Sequence, residues 1–279
     1  MILLIDGQNT MSAYGAYVTE GGARTLMEWP ALKQPLYNEW QEHDGREVDL
    51  SNPVLDKRNF SILMASADAP EAMAAMRAAL TTRAYHTLEI QGSQRIMVAR
   101  FLSVSGVSSM CNLATFALNF CCDDPLQQPY QTPFSTMPTD NSYKISNPAN
   151  TGMIPLTRYG VQMLSGTAQS FMFVPEVRHG VETTGKYVSG SEYPNRPTTF
   201  RSPEVTLRCL MHESTPQALN RNYDALLHDL TTPGAKQLYA SVTERTYPFH
   251  YVSQSVTEYA PSDNWIKFNV KLRILDNIR

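Results

Sequence analysis

The sequence predicts a mainly β chain with some helix, an α+β class, made of two tandem copies of one domain. Three observations lead there. Residues 14–33, YGAYVTEGGARTLMEWPALK, align with residues 159–178, YGVQMLSGTAQSFMFVPEVR, without a gap at an offset of 145. In each copy a strand-like run is then followed by an amphipathic helix. Each copy closes on a strand of alternating apolar residues, Phe116-Leu118-Phe120 in the first and Phe268-Val270-Leu272 in the second. Self-agreement of this extent in 279 residues marks an internal repeat, which decides architecture before local propensity does.

Within the aligned stretch Tyr14 falls on Tyr159, Gly15 on Gly160, Gly21 on Gly166, Met27 on Met172 and Pro30 on Pro175. Leu26 meets Phe171, Trp29 meets Val174, Leu32 meets Val177 and Lys33 meets Arg178. Gly45 falls on Gly190 at the same offset. An offset of 146 then brings Pro70 onto Pro216, Ala72 onto Ala218, Met73 onto Leu219 and Leu80 onto Leu226, and one of 152 aligns the closing strands. The shifts fall where loops are expected, and loops absorb insertions. Domains are therefore expected at 1–125 and 150–279, each of ordinary size, joined by a Pro-rich linker at 126–149.

Taken in order, the apolar start at residues 1–5 reads as an edge strand or a core segment. Residues 15–18 and 24–29 read as two strands around Gly21-Gly22, where a Gly pair supplies the positive φ of a tight hairpin. The second copy has Ser165-Gly166 at that place. Two long polar stretches follow, 33–58 and 178–202. Both have the length of an extended β-arm, and Asp44-Gly45 is a hairpin-turn signal in the first. Arms this long usually serve a partner. Residues 60–65 and 205–210 read as strands. Helices are expected at 70–80, capped by Ser66 or Asp68, and at 216–230, capped by Thr215. Met73, Met76 and Leu80 share one face of the first helix, and Leu219, Tyr223, Leu226, Leu227 and Leu230 one face of the second. Strands at 87–90, 96–104 and 113–121 complete the first copy, and strands at 237–242, 249–256 and 266–275 the second. Between the copies, residues 123–150 hold five prolines and many Ser, Thr and Asn, a composition that extends a chain.

Composition narrows the function. The net charge of −3 gives no support for a basic nucleic-acid-binding surface. Fourteen Tyr and eighteen Pro suit strands, turns and packed interfaces. The four cysteines, Cys111, Cys121, Cys122 and Cys209, form no C-x-x-C pair and do not repeat between the copies, so reduced thiols in a cytoplasmic setting are expected. The apolar start is too short and lacks the basic residues of a signal peptide, so export is not expected. No apolar run approaches the roughly 18 residues of a membrane helix.

No catalytic, cofactor-binding or metal site is expected. Asp123-Asp124 is a paired carboxylate, but it ends a strand before Pro125 and reads as a turn. His43, His86, His179, His212, His228 and His250 are scattered, without metal-ligand spacing. There is no G-x-S-x-G elbow, and Gly21-Gly22 lacks the Lys-Ser of a phosphate loop. Met73 and Met76 read as core. Tyr247, Phe249 and Tyr251 alternate on one strand and could stack on bases or sugars, although a core face accounts for them better.

The order hairpin, long arm, strand, helix, then strands ending at an acidic turn resembles the tail-tube fold of phage tails and related injection machines. The first copy is similar to the N-terminal domain of siphophage distal tail proteins. The stretches that carry this resemblance are IDGQNTMSAYGAYVTEG, WPALKQ, DGREVDL, the first helix and FALNFCCDDP. The resemblance covers residues 1–125 and reaches the rest through the repeat. It implies two tandem tail-tube-like β-sandwich domains, each with one flanking helix and a long β-hairpin arm. The function it implies is that of a structural, non-enzymatic protein of a phage tail, a distal tail or baseplate ring around the DNA channel. The protein would be assembled in the host cytoplasm and located in the virion tail. Implied partners are further copies of the chain, as a trimer with pseudo-sixfold symmetry or alternatively a hexamer, and tail tube and hub proteins. Proximity to DNA would be non-specific, and no membrane or cofactor is involved. One departure stands out: many distal tail proteins carry a galectin-like or carbohydrate-binding second domain, whereas this chain repeats the first. A carbohydrate- or receptor-binding module of a tail tip is the rival reading, and it requires exposed aromatic platforms.

Overall fold

The first half runs β1 (Leu3–Ile5), β2 (Gln8–Asn9), α1 (Thr10–Tyr14), β3 (Ala16–Val18), a 3-10 turn (Arg24–Met27), β4 (Tyr37–Asn38), β5 (Glu47–Val48), β6 (Arg58–Ser66), α2 (Ala69–Leu80), β7 (Tyr85–Ile90), β8 (Ile96–Met110) and β9 (Leu113–Cys122). The second runs β10 (Tyr143–Ser146), β11 (Met153–Pro155), a 3-10 turn (Leu156–Tyr159), β12 (Val161–Met163), α3 (Thr167–Ser170), β13 (Val177–Arg178), β14 (Thr199–Phe200), β15 (Glu204–His212), α4 (Pro216–Thr231), β16 (Lys236–Ala240), β17 (Arg245–Ala260), a short 3-10 turn (Pro261–Asp263) and β18 (Trp265–Ile274). These come from a computed structural model that describes residues 1–40, 43–110, 113–146, 152–174, 176–178 and 199–275.

Each half forms one seven-stranded antiparallel sheet. The first has the order β2-β1-β7-β8-β9-β6-β3 and the second β11-β10-β16-β17-β18-β15-β12. Exchanging each strand for its counterpart turns one order into the other. Even the irregularities match: the β8–β9 register shifts between Phe101 and Ser103, and the β17–β18 register between Tyr251 and Ser253. The chain is thus mainly strand with few helices, the α+β class expected.

Alternation explains why the closing strands sit at the centre of each sheet. Phe116, Leu118 and Phe120 are fully buried, and Phe268, Val270 and Leu272 are at most 1% exposed. Burial of one such side chain contributes about 1.5–3 kcal/mol. The helices lie over these rows. Asp68 caps α2 by accepting from the Glu71 N–H at 3.3 Å, and Thr215 caps α4 by accepting from the Ala218 N–H at 3.2 Å. Met76 and Leu80, and Leu219, Tyr223, Leu226, Leu227 and Leu230, are buried as the helical spacing requires.

Three expectations need correction. Residues 24–29 do not form a strand: Arg24–Met27 is a 3-10 turn, because the chain turns away from its own sheet there. The repeated Tyr-Gly ends helical turns rather than opening strands. Gly15 and Gly160 take the left-handed conformation, φ +62° and +71°, after α1 and the 3-10 turn at Leu156–Tyr159. Finally, β10 lies inside the stretch read as linker. Its residues Tyr143 and Ile145 are buried, which a linker would not require, and it pairs with β16. The linker residues before it are pinned by side chains. Gln127 bonds both the N–H and the carbonyl of Val98, and Asn222 bonds the N–H and the carbonyl of Phe134.

Candidate interface between the two halves

From the last residue of the first 3-10 turn onward, residues 27–32 leave their own half and cross the other. Leu26 belongs to the core of the first half, but Met27 and Trp29, 1% and 4% exposed, belong to that of the second. Pro30 helps to keep this strap extended, since the residue before a proline is disfavoured in helix. The Trp29 indole sits in an aromatic pocket, with ring centroids 4.7 Å from Tyr223, 5.5 Å from Phe268 and 6.3 Å from Tyr251. Tilted and edge-on packing of this kind adds to the area effect.

A backbone that is buried without its own ladder must find other partners, and the groove between α4 and β17 provides them. The Trp29 N–H donates to Gln254 Oε1 at 2.8 Å, and the Leu32 N–H to the Val252 carbonyl at 2.9 Å. The Tyr223 hydroxyl donates to the Met27 carbonyl at 2.7 Å, the Tyr251 hydroxyl to the Pro30 carbonyl at 2.8 Å, and Gln254 Nε2 to the Tyr223 oxygen at 2.7 Å. Burial pushes both phenols well above their ordinary range, so they remain protonated donors.

Polar contacts flank the strap. Arg95 pairs with Asp224 at 2.8 Å, and Asn220 donates to the Ser93 carbonyl at 2.8 Å. Burial opposes the Arg95 charge and Asp224 more than offsets it, so the guanidinium is held above its ordinary value. The β4–β5 hairpin, which the Asp44-Gly45 turn signal predicts, lies on the second half. Its Gly45 N–H donates to the Phe200 carbonyl and its Arg46 N–H to that of Leu275, both at 3.0 Å. Arg178 donates to the carbonyls of Trp40, His43 (3.3 Å) and Gly45 (2.9 Å). The first arm thus holds the halves of one chain together. The second arm falls mostly outside the described residues.

Among the described residues, the candidates for chemistry are scattered, and only Tyr251 reaches this seam. Asp123 accepts from Arg100 at 3.0 and 3.2 Å, from the Tyr85 hydroxyl at 3.1 Å and from Cys121 Sγ at 3.2 Å. The Arg100 guanidinium foremost holds its carboxyl well below the usual range. Asp124 closes a turn onto the Leu126 N–H. His86 is buried between Asp6 (2.7 Å) and the Leu80 carbonyl (3.0 Å), His228 stacks on Tyr130, and His250 contacts the Tyr251 carbonyl. His43 lies in the first arm and His212 is exposed at the end of β15; His179 falls outside the described residues. Tyr247, Phe249 and Tyr251 are all buried, and only Tyr251 takes part in the seam. Cys121, Cys122 and Cys209 are free and buried, with thiols pushed up by that burial; Cys111 lies outside the described residues. Among the described residues no three His, Cys, Asp or Glu side chains cluster to hold a metal ion, and no helix is long and apolar enough to cross a membrane.

No protein-family model matches the chain, and neither does any curated protein. A solved structure with some likeness is the crystal structure of the SPP1 Dit protein (gp 19.1), described as a paradigm of the hub adsorption apparatus in phages that infect Gram-positive hosts. The two chains are 11% identical with a TM-score of 0.36, over 99% of this chain and 94% of that one. A likeness so distant leaves the functional reading to the chain's own geometry and to the repeat.

Proposed function

We propose that this chain is a structural, non-enzymatic protein of a phage tail, forming a distal tail or baseplate ring around the DNA channel. It would be built from two domains that arose by duplication. The second would take in β10, so its boundary falls before residue 143 rather than at 150. The observation that carries the reading is the strap: one copy of the repeat is sealed onto the next by a contact whose two parts both recur. Units related in this head-to-tail way close into a ring when the rotation between them divides a full turn. Three chains of two units each make a pseudo-sixfold ring, and six chains are the alternative. Fusion of two units raises their effective concentration and halves the number of chains that must associate. A mild net charge of −3 suits a channel that DNA passes without being gripped. Tail tube and hub proteins would be the neighbours, in a virion tail assembled in the host cytoplasm. Electron microscopy of the purified protein tests this. Rings with an open centre are expected, whereas particles without a channel at every concentration would count against it.

A further inference from the structure

The strap contact is made once within the chain, yet the repeat contains both of its parts twice. In the second half the groove between α4 and β17 is filled by residues 27–32. In the first half the counterpart groove, between α2 and β8, is an open cleft of about 740 Å3 whose lining includes Met73, Arg77, Phe101, Leu102, Ser103 and Val104. Arg77 holds the helical place of Tyr223. Phe101, Leu102 and Val104 hold the places of Tyr251, Val252 and Gln254 beside the shared bulge. Under their strap Tyr223 and Tyr251 are 0% and 1% exposed, whereas their counterparts Arg77 and Phe101 are exposed and half-buried. The second half's own strap is exposed at two places, although Phe173 between them packs partly on its own core. Met172 and Val174, the counterparts of Met27 and Trp29, are 67% and 91% exposed. An exposed apolar strap and an open cleft, apolar at Met73, Phe101, Leu102 and Val104 and rimmed by Arg77, Arg83 and Arg100, mark an interaction surface on one molecule.

We propose that the strap presenting Met172 and Val174 of one copy docks in the α2–β8 groove of a second copy, repeating between chains the contact that Trp29 makes within one. This names the interface of the ring and rests on the ring reading above. Arg77 donates to the Met172 carbonyl, as the Tyr223 hydroxyl does to that of Met27. The Leu102 carbonyl accepts from the Val177 N–H, as that of Val252 does from Leu32. The strand pairing behind the strap repeats as well, since the Leu32–Leu55 bridge matches the Val177–Phe200 pair at the offset of 145. Val174 fills less space than Trp29, and Phe101 lacks the hydroxyl of Tyr251. The seam between chains is therefore weaker than the seam within, so a folded monomer precedes the ring.

The test uses full-length chains in a Cys111→Ser background. One preparation carries Arg77→Cys and another Val174→Cys; the two are mixed and treated with a short bis-maleimide. A two-chain product that needs both variants is expected. In parallel, Val174→Arg should weaken assembly at least about tenfold, because it sets a like charge against Arg77, Arg83 and Arg100 of the groove, while the far-UV spectrum and the monomer's melting stay unchanged. A ring that forms normally with Val174→Arg and gives no mixed cross-link overturns the docking and leaves the ring reading intact. A wild-type chain that stays monomeric at all concentrations overturns both.

Discussion

At the scale of single residues, Trp29 and Val174 occupy the same place in the repeat with opposite fates, 4% against 91% exposed. Trp29→Ala empties an aromatic pocket and should cost about 3–5 kcal/mol in chemical denaturation. Val174→Ala, measured on dilute monomer, should change stability by no more than about 0.5 kcal/mol. Comparable losses at both sites would contradict the seam. Gln254→Ala removes the acceptor of the Trp29 N–H and the donor to Tyr223, and should cost about 1–3 kcal/mol for the groups left unpaired. Asp6 supplies a pH test. Its burial raises the pKa, but Arg83, His86 and the Thr87 N–H outweigh this and hold the carboxyl at about 2. A depressed folded value means that the stabilisation is complete above the unfolded value of 3.8 and is lost as pH falls from there through about 2. Asp6→Asn should therefore lower stability at neutral pH by about 1 kcal/mol, allowing for solvent screening of a partly exposed pair, and flatten the acid limb in that window. An unchanged acid limb would show that Asp6 carries no such linkage.

At the scale of elements, the sequence made the closing strands, both helices, the Asp68 and Thr215 caps and the Asp44-Gly45 hairpin legible, because each rests on local spacing or turn chemistry. Asp6-Gly7 is an equally strong local signal: both residues have positive φ, 54° and 78°, in the two-residue turn between β1 and β2. The strap was not legible. Met27 and Trp29 alternate like strand residues, and nothing local says that their partners lie some 200 residues away. The signal that could have exposed it was the mismatch in the repeat itself, Trp29 against Val174 and Glu28 against Phe173. The arm yields its own prediction. Arg178→Ala removes the donor to three carbonyls of the β4–β5 hairpin, so hydrogen exchange at the Gly45 and Arg46 amides should accelerate about tenfold or more while the sheet amides hold. Unchanged protection there would mean that Arg178 does not anchor the arm.

At the scale of the whole molecule, two sheets of one strand order are locked by a short strap from the first half, and the counterpart parts stand open, the groove on the first half and the strap on the second. A heterologous interface of this kind either closes or grows into a filament, and the fixed seam within each chain sets the rotation in advance. The assembled mass is the most direct test of this account. Native mass spectrometry of the full-length protein should give a closed species of three chains, each 31.3 kDa, with no larger series. A species of six chains would reject the pseudo-sixfold trimer, and a monomer alone would contradict the ring itself.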